Sequence, residues 1–500
     1  MQHPHVGRTR EKPVKQLSSL DAQFLLVESA TTSGHVGALL VLDPSTAPHR
    51  EVTLEGLRAL IEPRLHLVDA LRERVVEVPL GLGHPYWVQD PDFDLEYHTR
   101  EVALPQPGSA EQLAEQVARI HARPLDRTRP LWEMYLVHGL ADDRAAVYAK
   151  FHHAAIDGIS GTEILSTVLD VSVEPRVVDP PPDLWDPSPV PSNAEILTRG
   201  SWSTVLRSRR LLTQLPTQLP HLTDIPGAKN LPGVNLVSGV AGALSAIVTG
   251  SSSATDERDL TAPPTPFNGP ITAHRRFAYG SVPLSEVKKV KNAFGLTVND
   301  VVMAMTTTAL RRWLLDHDAL PDIPLIGAVP VSIRGSDDQG GIGNLVSVML
   351  AQLPTDEADP SRRLHETAAS MSNAKQRFEA VPVSILQELS AAVPTALSGL
   401  AARALFRLAL SQGLPFNMFV SNVPGPQLPL YVAGARLQGM YPVSAVTDMT
   451  GGINITLFSY DGALDFGIVV CREMVPDVWR IIDYLRDGLA ELVALAEGQL

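Results

Sequence analysis

"AAVYAKFHHAAIDGISGTEILSTVLD", residues 145 to 170, changes its period part-way along. From Ala145 to Phe151 the run alternates as a strand does, whereas "TEILSTVLD" sets Ile164, Leu165, Val168 and Leu169 on one face of a helix. His152, His153, Asp157 and Gly158 fall between the two, at the strand's end. A histidine near its ordinary pKa can take a proton from a hydroxyl, a contribution of about 10² to 10⁴ in rate, and His153 is the candidate base. Asp157 either orients that ring or pairs with an arginine and holds the turn. Gly158 admits a backbone conformation or a close approach that a side chain would block. Adjacent strand residues point to opposite faces, so His152, His153 and Asp157 do not converge on one metal ion. Ser160 lacks the elbow pattern of a nucleophilic serine, which leaves direct transfer, with an acceptor as nucleophile, as the simpler scheme.

Elements of both kinds surround this junction. "LDAQFLLVES" reads as a short helix, "GHVGALLVLD" as a strand, and "TLEGLRALIEPRLH" as a helix. "PLWEMYLV" is a strand that turns around Asp142 and Asp143 into the Ala145 run. A proline cluster, "DPPPDLWDPSPVPS", then interrupts all regular pattern. Beyond it, "RGSWSTVLRSRRLLTQL" mixes Trp202 and leucines with Arg207, Arg209 and Arg210, a composition that suits a linker helix packed on the protein or a helix lying on lipid. "LPGVNLVSGVAGALSAIVTG", 231 to 250, is uncharged but too rich in small and polar residues for a membrane span.

Regular pattern resumes near residue 270. "LSEVKKVKNAF" is a helix stopped by Gly295, "VNDVVMAMTTTALRRWLLDH" a longer one, and "INITLFSYDGALDFGIVVC" a hairpin turning at Asp461 and Gly462; a last helix runs from about Asp477 to Ala496. The expected organisation is a loose tail over 1–15, an N-terminal domain over 16–180, a connector over 181–269 and a C-terminal domain over 270–500. Helices and strands mixed in this way, with a hairpin, give an α/β class with mixed sheets.

Composition narrows the functional classes. The 500 residues carry a formal charge of −14, against the basic excess that phosphate neutralisation requires, so nucleic acid is not an expected partner. The single cysteine, Cys471, excludes an internal disulfide and a cysteine-based zinc cluster, and fits a reducing cytoplasm. "MQHPHVGRTREKPVKQ" is polar and basic with no apolar core after it, unlike a secretory signal.

"HHAAIDG" resembles the HHxxxDG signature of the coenzyme-A-dependent acyltransferase superfamily. "RPLWEMYLVHGL", "TVNDVVMA", "VPVSIR" with "GNLVS", and "SNVPGP" narrow the likeness. Together they are similar to the bacterial wax ester synthase/acyl-CoA:diacylglycerol acyltransferase family over nearly the whole chain. The resemblance implies two chloramphenicol-acetyltransferase-like domains, with a tunnel between them reaching the motif. It implies long-chain acyl transfer from acyl-CoA to the hydroxyl of diacylglycerol or a long-chain alcohol, making triacylglycerol or wax ester; the alternatives are a condensation-type acyltransferase using carrier-protein thioesters and a catalytically silent lipid-binding relative. Acyl-CoA is then a co-substrate and no further cofactor is expected. The expected location is the cytoplasm, with peripheral contact at a membrane or lipid droplet.

The same resemblance implies roles for single residues. His153 takes the acceptor's proton, His152 matters less for the chemistry, and Asp157 organises the loop. Arg334 is either the partner of Asp157 or a surface arginine. Asn299 and Asp300 match the family's ND motif, yet "TVND" is also a capping box, with Thr297 as N-cap and Asp300 returning the bond. Asp300 is therefore expected to be structural, and Asn299 is a candidate donor to the oxyanion if the helix start faces the cleft.

Overall fold

The computed structural model describes residues 15–26, 28–79, 84–156, 161–180, 195, 262–333, 345–379, 415–448 and 450–498. Asp157, Gly158, Arg334, the Arg-rich connector helix and the 231–250 segment lie outside the described residues.

Among the described residues, two six-stranded sheets organise the fold. In the first, the strands Tyr431–Val432, Ala435–Val443, His35–Asp43, Ala145–His152, Trp132–His138 and Thr99–Ala103 lie side by side in that order. The second runs Leu345–Leu353, Leu325–Ile333, Met418–Val423, Ile453–Tyr460, Ala463–Cys471 and Arg275–Pro283. Both are mixed, as expected: Thr99–Ala103 is parallel to its neighbour, and Met418–Val423 is parallel to both of its own. A small three-stranded sheet joins Lys15–Gln16, Tyr86–Gln89 and Glu73–Val76.

Strand Ala145–His152 is buried along its whole length. Its apolar residues divide by the period of two: Ala145, Val147, Ala149 and Phe151 join a core with Trp132, Met134 and Leu136, while Ala146 and Tyr148 join another with Tyr135 and Val137. The second core also takes in Phe277, Val469 and Cys471 from the other sheet, so it lies where the two halves meet. Lys150 and His152 share the parity of Tyr148 and point to this inner side. Trp132 is buried to 1 % exposure and donates its indole N–H to Leu71 O at 2.9 Å, with the His98 ring stacked on it at 4.5 Å. The PLW stretch thus packs a core.

Several local expectations need amending. The helix from Leu54 ends as an α-helix at Ile61 and tightens into a 3₁₀ run over Glu62–Leu67, because Pro63 has no N–H to continue the ladder. The strand at the histidine pair ends at His152 and His153 opens a helical turn, His153–Ile156, so the pair straddles the strand's end as expected. The sheets also ignore the boundary drawn at the connector, since Tyr431–Val432 and Ala435–Val443 belong to the first sheet although they follow the connector in sequence. The hairpin pairs Tyr460 with Ala463 around Asp461 and Gly462, and the last helix spans Val478–Glu497.

Among the described residues no single helix is long and apolar enough to cross a membrane. The helices Leu284–Phe294 and Val298–Asp316 pass that test only jointly, and they bend by 104° between them.

Candidate active site

His153 is held by its backbone and by its ring. Its N–H donates to Gly34 O at 2.8 Å, and its imidazole stacks on Phe24 with centroids 3.9 Å apart and planes 21° from parallel. Both partners flank one short loop, between the helix Ser19–Leu26 and the strand His35–Asp43. Gly34 lies close under the pair: a Cβ there would stand 3.1 Å from the His152 ring, so any side chain would press on that ring.

His152 turns the other way and is 1 % exposed. Its Nδ1 accepts the Ala154 N–H at 3.1 Å, and its Nε2 lies 3.1 Å from Glu28 Oε1. The same carboxylate oxygen accepts the Gly34 N–H at 2.9 Å, and Oε2 pairs with Arg127 Nη2 at 2.6 Å. Burial alone would raise the Glu28 pKa. Its bonds to His152, Arg127 and the Gly34 amide more than reverse that and hold the carboxyl far below the usual carboxylate range.

The next ring inward is also fixed. His35 donates from Nδ1 to His121 O at 3.1 Å and accepts the Leu125 N–H on Nε2 at 3.3 Å. Burial, with Lys150 beside it, pushes its pKa well down and keeps it neutral. Lys150 spends its ammonium on the carbonyls of Ile120, at 3.0 Å, and Arg123, at the end of the helix Ala110–His121. Burial lowers its pKa to about 8. His35 and Lys150, on the inner side with His152, are therefore already bonded to main-chain groups.

A second group forms at the start of the helix Val298–Asp316. The capping box is complete: Thr297 Oγ1 accepts the Asp300 N–H at 3.2 Å, and Asp300 Oδ2 accepts the Thr297 N–H at 2.9 Å. Beside it, Asn422 Nδ2 donates to Asn299 Oδ1 at 3.5 Å, which brings the TVND and SNVPGP stretches together. The turn after Asn422 is fixed by Gly425, whose N–H donates to Ser459 Oγ at 3.1 Å and where a Cβ would meet Phe458 at 2.3 Å.

Sequence reasoning missed Glu28, Phe24, Gly34 and Arg127. "LDAQFLLVES" carries two of them, but nothing in its local pattern ties them to a histidine so much later in the chain. Among the described residues no group of three histidine, cysteine, aspartate or glutamate side chains is placed to hold a metal ion.

Chemically, the site offers the His153 imidazole, stacked on Phe24 at the end of a buried strand. Such a group can accept a proton from a hydroxyl while that oxygen attacks a carbonyl.

Comparison with known proteins bears on what the carbonyl belongs to. Residues 17–302 match the model of the wax ester synthase/diacylglycerol acyltransferase catalytic domain, and residues 342–493 that of the WS/DGAT C-terminal domain. A Mycobacterium tuberculosis H37Rv protein carrying the name diacylglycerol O-acyltransferase is 38 % identical, over 95 % of this chain and 99 % of its own. Another from that strain, of the same name, is 34 % identical over 97 % of this chain and 91 % of its own. The solved wax ester synthase/diacylglycerol acyltransferase of Marinobacter aquaeolei VT8 superposes with a TM-score of 0.66 at 32 % identity, covering 97 % of this chain and 100 % of that one. The first condensation domain of the CDA synthetase shares the fold alone, at a TM-score of 0.53 and 16 % identity, with 97 % of each chain covered.

Proposed function

Because the chain belongs to the wax ester synthase/diacylglycerol acyltransferase family, we propose that it carries out that acyl transfer with His153 as general base. It is an O-acyltransferase: a long-chain acyl group passes from acyl-CoA to the hydroxyl of diacylglycerol, giving triacylglycerol, or of a long-chain alcohol, giving a wax ester. Acyl-CoA is a co-substrate, and the reading calls for no other cofactor.

The observation that carries the assignment of the base is the division of labour between the two histidines. His152 is tied to Glu28 and Ala154, whereas His153 stands at the strand end with its main chain bonded to Gly34 and its ring laid on Phe24. The acceptor oxygen forms a bond to the thioester carbonyl carbon as its proton passes to His153. The carbon–sulfur bond then breaks, and the proton leaves with the CoA thiol. Asn299, at the helix start, is the proposed donor to the oxyanion of the tetrahedral intermediate. Asp157 and Gly158 shape the loop after the base, with Arg334 as the proposed partner of Asp157.

Both acceptors are water-insoluble, so the enzyme is proposed to collect them at a membrane or lipid-droplet surface through the Arg207, Arg209 and Arg210 segment. Flotation with anionic vesicles tests this; equal flotation after all three arginines are neutralised would count against it. The activity is tested by incubating the protein with palmitoyl-CoA and either hexadecanol or dioleoylglycerol, following free thiol and lipid product together. Product with either acceptor, lost in a folded His153→Ala variant, is the expected result. Thiol release that survives in that variant would remove His153 from the role.

A further inference from the structure

We infer that Arg275, from the second sheet, is a positioning residue for His153, acting through the loop Glu28–Gly34; the inference rests on the reading of His153 as the base. Arg275 is 8 % exposed and spends its guanidinium on four carbonyls. Nη1 donates to Thr272 O and to His274 O, the latter at 3.1 Å, and Nη2 donates to Thr31 O at 2.6 Å and Val446 O at 3.1 Å. Three of these lie on the part of the chain that follows the connector, and the fourth, Thr31 O, lies inside the loop that holds the histidine pair. Asp448 repeats the link: it accepts the Ile271 N–H at 3.1 Å on one oxygen and the Thr32 hydroxyl at 3.4 Å on the other.

The loop is built to carry a displacement. Ser29 N–H bonds to Thr32 O at 2.8 Å, and Ser29 Oγ accepts the Thr32 N–H at 3.2 Å, which closes a turn. Glu28 grips the far end through the Gly34 N–H, and Gly34 O receives the His153 N–H. Arg275 thus fixes the middle of a closed loop whose last residue holds the base. Shifting a reacting group by about 1 Å can cost on the order of 100-fold in rate, so an anchor at this point affects turnover without touching substrate. Only arginine has the donors in a rigid fork to join Thr31 and Val446 at once; lysine keeps the charge and loses the fork.

The test compares Arg275→Gln, Arg275→Lys and Thr32→Val with wild type and His153→Ala, all in the full chain. Thermal melts establish folding, and kcat and KM are measured for palmitoyl-CoA at saturating hexadecanol or dioleoylglycerol. Arg275→Gln is expected to lower kcat by about tenfold or more, with KM within about twofold and Arg275→Lys intermediate. Thr32→Val is expected to lower kcat by a few-fold. A folded Arg275→Gln variant with wild-type kcat overturns the inference. If neither Arg275 variant folds, Thr32→Val decides: reduced kcat supports the strut and wild-type kcat refutes it. Turnover that persists in His153→Ala removes the base, and the inference with it, whatever the Arg275 variants do.

Discussion

Glu28 and His152 meet at 3.1 Å, and the carboxylate also accepts the Gly34 amide at 2.9 Å. One acidic side chain therefore holds the first histidine of the pair and the residue whose carbonyl holds the second. Glu28→Gln keeps the shape but gives up the charge shared with Arg127 and His152. It is expected to lower kcat by about 10- to 100-fold with little change in KM, by steady-state thiol release.

The same carboxylate sets a pH dependence. Its folded-state pKa lies below the unfolded value of 4.5, so the stabilisation it supplies is complete above that value and is lost as pH falls below it. Equilibrium melts of wild type should lose stability steeply as the pH is lowered below about 4.5, and Glu28→Gln should show a shallower slope there. Parallel slopes would mean that Glu28 does not carry this contact in solution.

The two histidines should separate in their effects. His153→Ala is expected to lower the rate by about 10²- to 10⁴-fold while the protein stays folded. His152→Ala leaves the Glu28 carboxylate and the Ala154 amide buried without their partner, and should cost about 1–3 kcal/mol of stability. A chemical-denaturation series alongside the kinetics distinguishes them.

At the helix start the adjacent pair should divide in the same way. Asp300→Ala removes half of the capping box and is expected to cost about 1 kcal/mol with kcat retained. Asn299→Ala is expected to reduce kcat by about 10²-fold while the protein stays folded. A wild-type rate in that variant would take Asn299 out of the mechanism.

Arg64 and Asp170 form an ion pair at 2.9 Å, with side chains 1 % and 3 % exposed. Arg64 also donates to Thr167 O at 3.1 Å, and Asp170 exchanges backbone bonds with Tyr431, so the pair ties the helix Gly161–Val168 to the strand Tyr431–Val432. Asp170→Asn strands a buried guanidinium and is expected to destabilise the protein by about 3–5 kcal/mol, measured by denaturant unfolding.

The junction of strand and helix was legible because residues 145–170 carry both periods in one stretch, and the capping box because its three-residue spacing is local. The place of the histidine pair was legible as well: His152 is the last residue of the strand and His153 the first of the helical turn. The loop Glu28–Gly34 was not, since Glu28 reads as one more acidic residue after a short helix until His152 folds onto it. Strand order was illegible for a related reason. Pairing of Leu40 with Met440 is set by which apolar faces meet in three dimensions, and neither segment carries a mark of its partner.

Because strand Ala435–Val443 lies between His35–Asp43 and Tyr431–Val432, the order of synthesis and the order of assembly conflict. The strand beside the histidine pair emerges early from the ribosome and waits for its neighbour until nearly the whole chain has been made. Until then its outer backbone groups are open to pairing with any passing strand. A fragment ending at the proline cluster would keep the histidines and leave that strand permanently unmatched, so it should aggregate instead of acting as a minimal enzyme. Supplying the missing strand within the same chain is a condition for obtaining a soluble acyltransferase.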